Sequence, residues 1–97
     1  MHPLKRIEII VDAPEVPSLV KALSAIGVTG YTIFNNLTGS GERGDRRNDE
    51  PGGGSGNSCI LLAVDPGKID ALVEVVRPIL RRRGGVCLMS DAQWLIH

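Results

Sequence analysis

Residues 38–58 read Thr38-Gly39-Ser40-Gly41-Glu42-Arg43-Gly44-Asp45-Arg46-Arg47-Asn48-Asp49-Glu50-Pro51-Gly52-Gly53-Gly54-Ser55-Gly56-Asn57-Ser58. These 21 residues include no aliphatic or aromatic side chain and hold seven of the chain's twelve glycines. Such a stretch has little to bury and much backbone entropy to lose, so Ser40 to Asn57 are expected to be mobile. A loop this long inside a small domain either binds something or links two parts. The flanking sequence decides between these.

Before the loop, Leu4 to Val11 alternates as a strand, with Ile7, Ile9 and Val11 on one face. Asp12 opens a capping region, and Pro14 and Pro17 suit a first helical turn. Val16, Leu19, Val20, Leu23 and Ile26 recur at helical spacing, and Gly27 is placed to end that helix. Tyr31 to Leu37 is a second strand. After the loop, Cys59 to Val64 is a third, apolar on both faces. Asp65-Pro66 starts a second helix, whose stripe runs from Ile69 to Leu80. Pro78 lies within that stripe and predicts a kink or a loosened last turn. Arg81 to Arg83 suit the helix C-terminus, Gly84-Gly85 end it, Val86 to Met89 form a fourth strand, and Asp91 to His97 make a tail.

Adding 53 to a residue number moves Val11-Asp12 onto Val64-Asp65, and Leu19-Val20 onto Leu72-Val73. Two βαβ halves of equal spacing predict one α+β domain over residues 1–97. It is a ferredoxin-like βαββαβ sandwich with strand order 4-1-3-2 and the long loop between strands 2 and 3. That order separates Cys59 from Cys87 beyond disulfide reach. Helices cover one sheet face only. The two-sided apolarity of strands 3 and 4 therefore predicts an oligomer formed through the other.

Composition excludes several classes. The formal net charge is zero, which argues against a nucleic-acid or membrane-surface binder. No apolar run approaches a bilayer span or a secretion signal, so a cytoplasmic protein is expected. Two cysteines and two terminal histidines match no metal motif. Gly39-Ser40-Gly41-Glu42-Arg43-Gly44 is a literal GxGxxG. It lacks the following helix of a dinucleotide fold, because Asp45-Arg46-Arg47 and more glycines follow. Its glycines can still present N–H groups to an anion, with Arg43 suited to phosphate.

Gly27-Val28-Thr29-Gly30-Tyr31-Thr32, followed by the glycine-arginine element and the long loop, resembles the PII signal-transduction superfamily. Tyr31 and the short Gly84-Gly85-Val86 turn look most like its carboxysome-associated, bicarbonate-linked PII-like members. The resemblance spans essentially the whole chain. It implies a non-enzymatic homotrimer that binds adenine nucleotides in clefts between subunits and signals through the loop, the family's T-loop. By position, Gly30, Tyr31 and Thr32 would line the adenine site. Gly39, Gly41 and Arg43 would approach the phosphates from the loop base, and Gly84, Gly85 and Val86 from the facing turn. The family's nitrogen regulators carry a lysine in a longer turn before strand 4 and arginines beyond it. This chain has neither, which favours ADP or AMP over ATP. Arg46 and Arg47, or Arg81 to Arg83, are candidate substitutes, and the first two are also candidates for bicarbonate. The loop also lacks the tyrosine that some relatives modify. The implied partner is a protein target such as a bicarbonate transporter or a carboxysome-related protein.

Two alternatives use the same strand order. An ACT-type amino-acid-binding module needs no such loop. An acylphosphatase-like enzyme needs a cation between strand 1 and helix 1, where this chain reads Val11-Asp12-Ala13-Pro14-Glu15-Val16-Pro17.

Overall fold

The structure, a computed structural model, describes residues 1–41, 44–46 and 56–97, with the backbone alone at residues 40, 41 and 44–46. Its elements are β1 (His2–Asp12), α1 (Val16–Ala25), β2 (Thr32–Leu37), β3 (Gly39–Gly41), β4 (Gly44–Arg46), β5 (Asn57–Val64), α2 (Ile69–Arg83) and β6 (Val86–Trp94). The main sheet is antiparallel in the order β2-β5-β1-β6, the predicted arrangement.

Alternation on β1 determines what the sheet buries. Ile7 pairs with Leu62 and Ile9 with Ile60, and all four are buried beneath the helices with Val11. From α1, Leu19 and Leu23 meet them, and from α2, Leu72, Val76 and Ile79. Each fully buried aliphatic side chain contributes about 1.5–3 kcal/mol by leaving water, so this layer dominates stability.

Each helix end is finished by local chemistry. Gly27 has φ +84°, its N–H donates to the Ser24 carbonyl at 3.0 Å, and the Val28 N–H donates to Leu23 at 2.9 Å. This is the left-handed Schellman ending that the glycine predicts. Asp65 caps as expected, accepting from the Gly67 N–H at 3.0 Å, and a short 3-10 turn leads into α2. Asp12, at the equivalent place in the first half, makes no side-chain cap. The halves also close one another. Lys68 Nζ donates to the Ile26 carbonyl at the end of α1, and its counterpart Glu15 lies 3.7 Å from Arg83 Nε at the end of α2.

Several features differ from the sequence expectation. β6 runs to Trp94, well past Met89, because β1 pairs with it from Ile10↔Val86 to His2↔Trp94. Most of the expected tail is therefore sheet. Residues 39–46 include a short ribbon, β3 paired with β4, in a stretch whose sequence has no apolar side chain. β2 also carries a bulge, where Phe34 pairs with Cys59 but Leu37 with Asn57. Asn36 sits there at φ +60°, a conformation that asparagine tolerates better than most residues. α2, by contrast, runs through Pro78 to Arg83 and ends at Gly84, as the sequence indicates. Apart from this ribbon and Gly56-Asn57, the expected mobility of residues 40–57 falls outside the described residues.

The bulge is held from inside. Ser58 is fully buried, and its hydroxyl donates to Asn35 Oδ1 at 2.8 Å. Ser58→Ala should cost about 1 kcal/mol, the net value of one such bond, read as a lower urea midpoint with unchanged slope. An unaltered midpoint would show that the bond does not hold the loop root.

Candidate functional site

Sheet topology divides the candidate residues between two places. Leu37, Asn57 and Asp12 lie abreast, and continuing the β1–β6 register brings Gly84 level with them. Gly39 and Gly41, just beyond β2, therefore share one end of the sheet with Gly84, Gly85 and Val86. Three strand spacings separate these groups, roughly 14 Å. Gly30, Tyr31 and Thr32 lie at the other end of β2, where Thr32 pairs with Leu61. At about 3.3 Å per residue they lie on the order of 25 Å from Gly39 along the strand. One chain thus does not bring all its candidate residues together. Arg43 and Arg47 lie outside the described residues, as does the Arg46 side chain.

The glycines at these positions serve different ends. Gly85 has φ +122°, and a Cβ there would stand 2.7 Å from the Ile10 carbonyl oxygen, 2.9 Å from Val11 Cγ1 and 3.0 Å from Leu80 Cδ2. Gly84 has φ +80°, and its N–H donates to the Leu80 carbonyl at 2.7 Å. The turn is thus pressed onto β1, and its glycines are required by folding. Gly30 and Gly39 have no positive φ, and a Cβ at either would meet no atom within 4 Å. Among the described residues nothing requires glycine at either position. Tyr31 and Thr32 are exposed, as is Val86.

The uncovered sheet face continues this surface. Phe34, Val86 and Leu88 are 49%, 47% and 55% exposed, around the Arg6–Glu8 ion pair on β1. Cys59 lies between β2 and β1 on the same face. Burial raises its thiol pKa, with the charge of Glu8 adding and that of Arg6 opposing. Burial alone raises Cys87. Both stay protonated thiols at neutral pH, poor nucleophiles. Both are free, as their strand placement predicts. Among the described residues no group of three His, Cys, Asp or Glu could hold a metal ion, and no helix is long and apolar enough to cross a membrane.

Sequence reasoning named these glycines but missed the bulge and the ribbon that carry the chain out of β2. The Asn35-Asn36 pair was the available signal.

Comparison with known proteins adds the lineage. No curated protein matches the chain. Among solved structures it is similar to CPII, a nitrogen regulatory PII-like protein from Thiomonas intermedia K12. In the form bound to ADP, AMP and bicarbonate, the TM-score is 0.88 at 30% identity, covering 96% of this chain and 89% of that one. The apo form gives 0.78 at 29%, covering 96% and 92%. A putative PII-like signaling protein from Thermus thermophilus shares the fold, with TM-score 0.69 at 15% identity, covering 97% and 90%. The family model for nitrogen regulatory protein P-II matches residues 4–95, nearly the whole βαββαβ unit and its loop, so the chain belongs to the PII family.

Proposed function

We propose that this PII-like signalling protein is a non-enzymatic cytoplasmic homotrimer that binds ADP or AMP in preference to ATP, together with bicarbonate. Each site lies between subunits, with Gly30, Tyr31 and Thr32 of one facing Gly39, Gly41, Arg43 and the Gly84-Gly85-Val86 turn of another. Arg46 and Arg47 supply further cations for phosphate or bicarbonate. Ligand binding orders residues 38–58, and the ordered loop engages or releases a protein target in inorganic-carbon metabolism, such as a bicarbonate transporter or a carboxysome-related protein.

The observation that supports this reading is the pair of glycines that no described residue of their own chain requires. Open space around Gly30 and Gly39 is what close approach of a ligand or a second backbone requires. Their placement at opposite ends of β2 supports a site shared between chains. CPII, at 30% identity, was solved with ADP, AMP and bicarbonate, which supports the choice of ligands.

The test separates binding from folding. Gly30→Ala should fold as well as wild type, within about 1 kcal/mol, because the methyl enters open space and the unfolded chain loses freedom. It should weaken ADP by about 5- to 150-fold, the equivalent of 1–3 kcal/mol, through crowding at the ligand. Calorimetry with ADP and a urea titration read the two quantities. Wild-type ADP affinity in this variant would remove Gly30 from the site.

A further inference from the structure

The two edges of the main sheet are unlike. β2 is six residues long and bulged at Asn35-Asn36, whereas β6 is nine residues long and pairs with β1 without a register shift. Copies related by cyclic rotation meet through unlike surfaces, so in the proposed homotrimer the β2 edge of one copy meets the β6 edge of the next. The uncovered faces, with Phe34, Val86 and Leu88, turn toward the middle. Edge meets edge in that arrangement only when the strands run along the symmetry axis. Rotation about such an axis leaves every residue at its own height.

Heights are read from the register. Thr32, Leu61, Glu8 and Leu88 lie abreast. Tyr31, one residue earlier, is therefore level with Leu62, Ile7 and Met89. Alternation also gives its layer. Ile33 packs against the core beneath the helices, and Tyr31, two residues before it, lies on the same side of the sheet. Tyr31 is 42% exposed, a large aromatic at the β2 edge that its own chain only half covers.

The β6 edge holds a hollow at the same height and in the same layer. A groove of about 470 Å³ lies between Val76 and Leu80 of α2 and Cys87 and Met89 of β6. Arg77 and Arg81 stand at its rim, both exposed and neither with an ion-pair partner among the described residues. Leu80 reaches Gly85, so Arg81 lies by the turn and Arg77, one helical turn back, lies nearer Met89.

We infer that the Tyr31 phenol of each copy seats in the α2–β6 groove of the next. Its ring covers Val76 and Met89, and its hydroxyl accepts from Arg77, the polar partner that a buried tyrosine needs. The inference rests on the homotrimer reading and supplies it with a specific contact. The same seam puts Thr32 of one copy only two residues, about 7 Å, from the Val86 level of the next. Gly30 and Thr32 are thus left beside the Gly84-Gly85-Val86 turn, where the nucleotide reading requires them.

Cys87 makes the contact measurable, because it is free and lines the groove. Within one chain, position 31 and Cys87 lie on opposite edges, three strand spacings or roughly 14 Å apart. In Tyr31→Cys, a bis-methanethiosulfonate reagent shorter than that distance can therefore join them only between copies. Denaturing gels should show bands of two and three chains, and mass spectrometry should find tryptic peptides 22–43 and 84–97 joined. Light scattering on the same samples reads the oligomer mass. A single-chain mass for wild type would overturn the homotrimer reading and this inference with it. A three-chain mass for Tyr31→Cys without the 31–87 link would overturn this inference alone. Tyr31→Lys tests the same contact by charge, since it sets a third cation against Arg77 and Arg81. It should raise the concentration at which the assembly dissociates at least about tenfold, and Tyr31→Lys combined with Arg77→Glu should recover most of the loss. No weakening in the single variant, or no recovery in the double, would also overturn the contact. An ADP titration of wild type tests the nucleotide reading by itself.

Discussion

Gly85→Ala is expected to be the most damaging single-methyl change in the described chain. The backbone there sits at φ +122°, and the new Cβ meets a carbonyl oxygen at 2.7 Å that belongs to the central strand. A left-handed conformation costs an alanine about 1–3 kcal/mol, and overpacking about 1–3 kcal/mol more. The sum is a large share of the 5–15 kcal/mol typical of a small domain, so the variant should be partly unfolded at room temperature or melt far lower. Relief by movement of Leu80 alone is excluded, because Ile10 contributes backbone rather than a flexible tip. Urea denaturation of the variant beside Gly30→Ala gives the contrast. If both variants match wild type, the α2–β6 turn is not clamped as described.

The second large effect concerns ligand coupling. Arg43→Ala should weaken ADP by roughly 10- to 150-fold, the 1.5–3 kcal/mol of one hydrogen bond to a charged group. It should also diminish any strengthening of ADP by bicarbonate. Closing a glycine-rich loop costs entropy, so on the proposed reading one anion would order it incompletely and a second would complete the contacts. Two ligands coupled this way strengthen each other by the same factor. Four calorimetric titrations decide it, with ADP against wild type and Arg43→Ala, each with and without bicarbonate. Equal affinity in all four would show that the loop base is not the phosphate site and that the ligands are uncoupled.

Much of the fold was legible because its signals are local. Gly27 and Asp65 act within a few residues of themselves, and the alternation of Ile7, Ile9 and Val11 names the buried face directly. The strand order followed from the equal spacing of the two halves. The second half of β6 was not legible. Ser90, Asp91 and Gln93 carry no apolar alternation, and only the neighbouring strand β1 makes them strand. The β3–β4 ribbon escaped for a related reason, since a stretch with no apolar residue leaves no hydrophobic trace. At the candidate site, composition pointed to glycines but could not separate their roles. Gly85 is held by contacts with residues seventy-odd positions away in the chain, Ile10 and Val11, whereas Gly30 has none, and only coordinates distinguish the two. The division of the site between the ends of β2 needed the sheet topology.

The pairing of β1 also bears on how the molecule comes into being. Its neighbours on both sides lie late in the chain, Lys5 meeting Val64 on one side and His2 meeting Trp94 on the other. On the ribosome the first strand is therefore made long before either partner exists, and α1 has no complete sheet to cover. Contacts so distant in sequence close slowly. The nascent first half carries Ile7, Ile9, Leu19 and Leu23 without their native strand partners, and no pair of the main sheet can form natively until β5 is made.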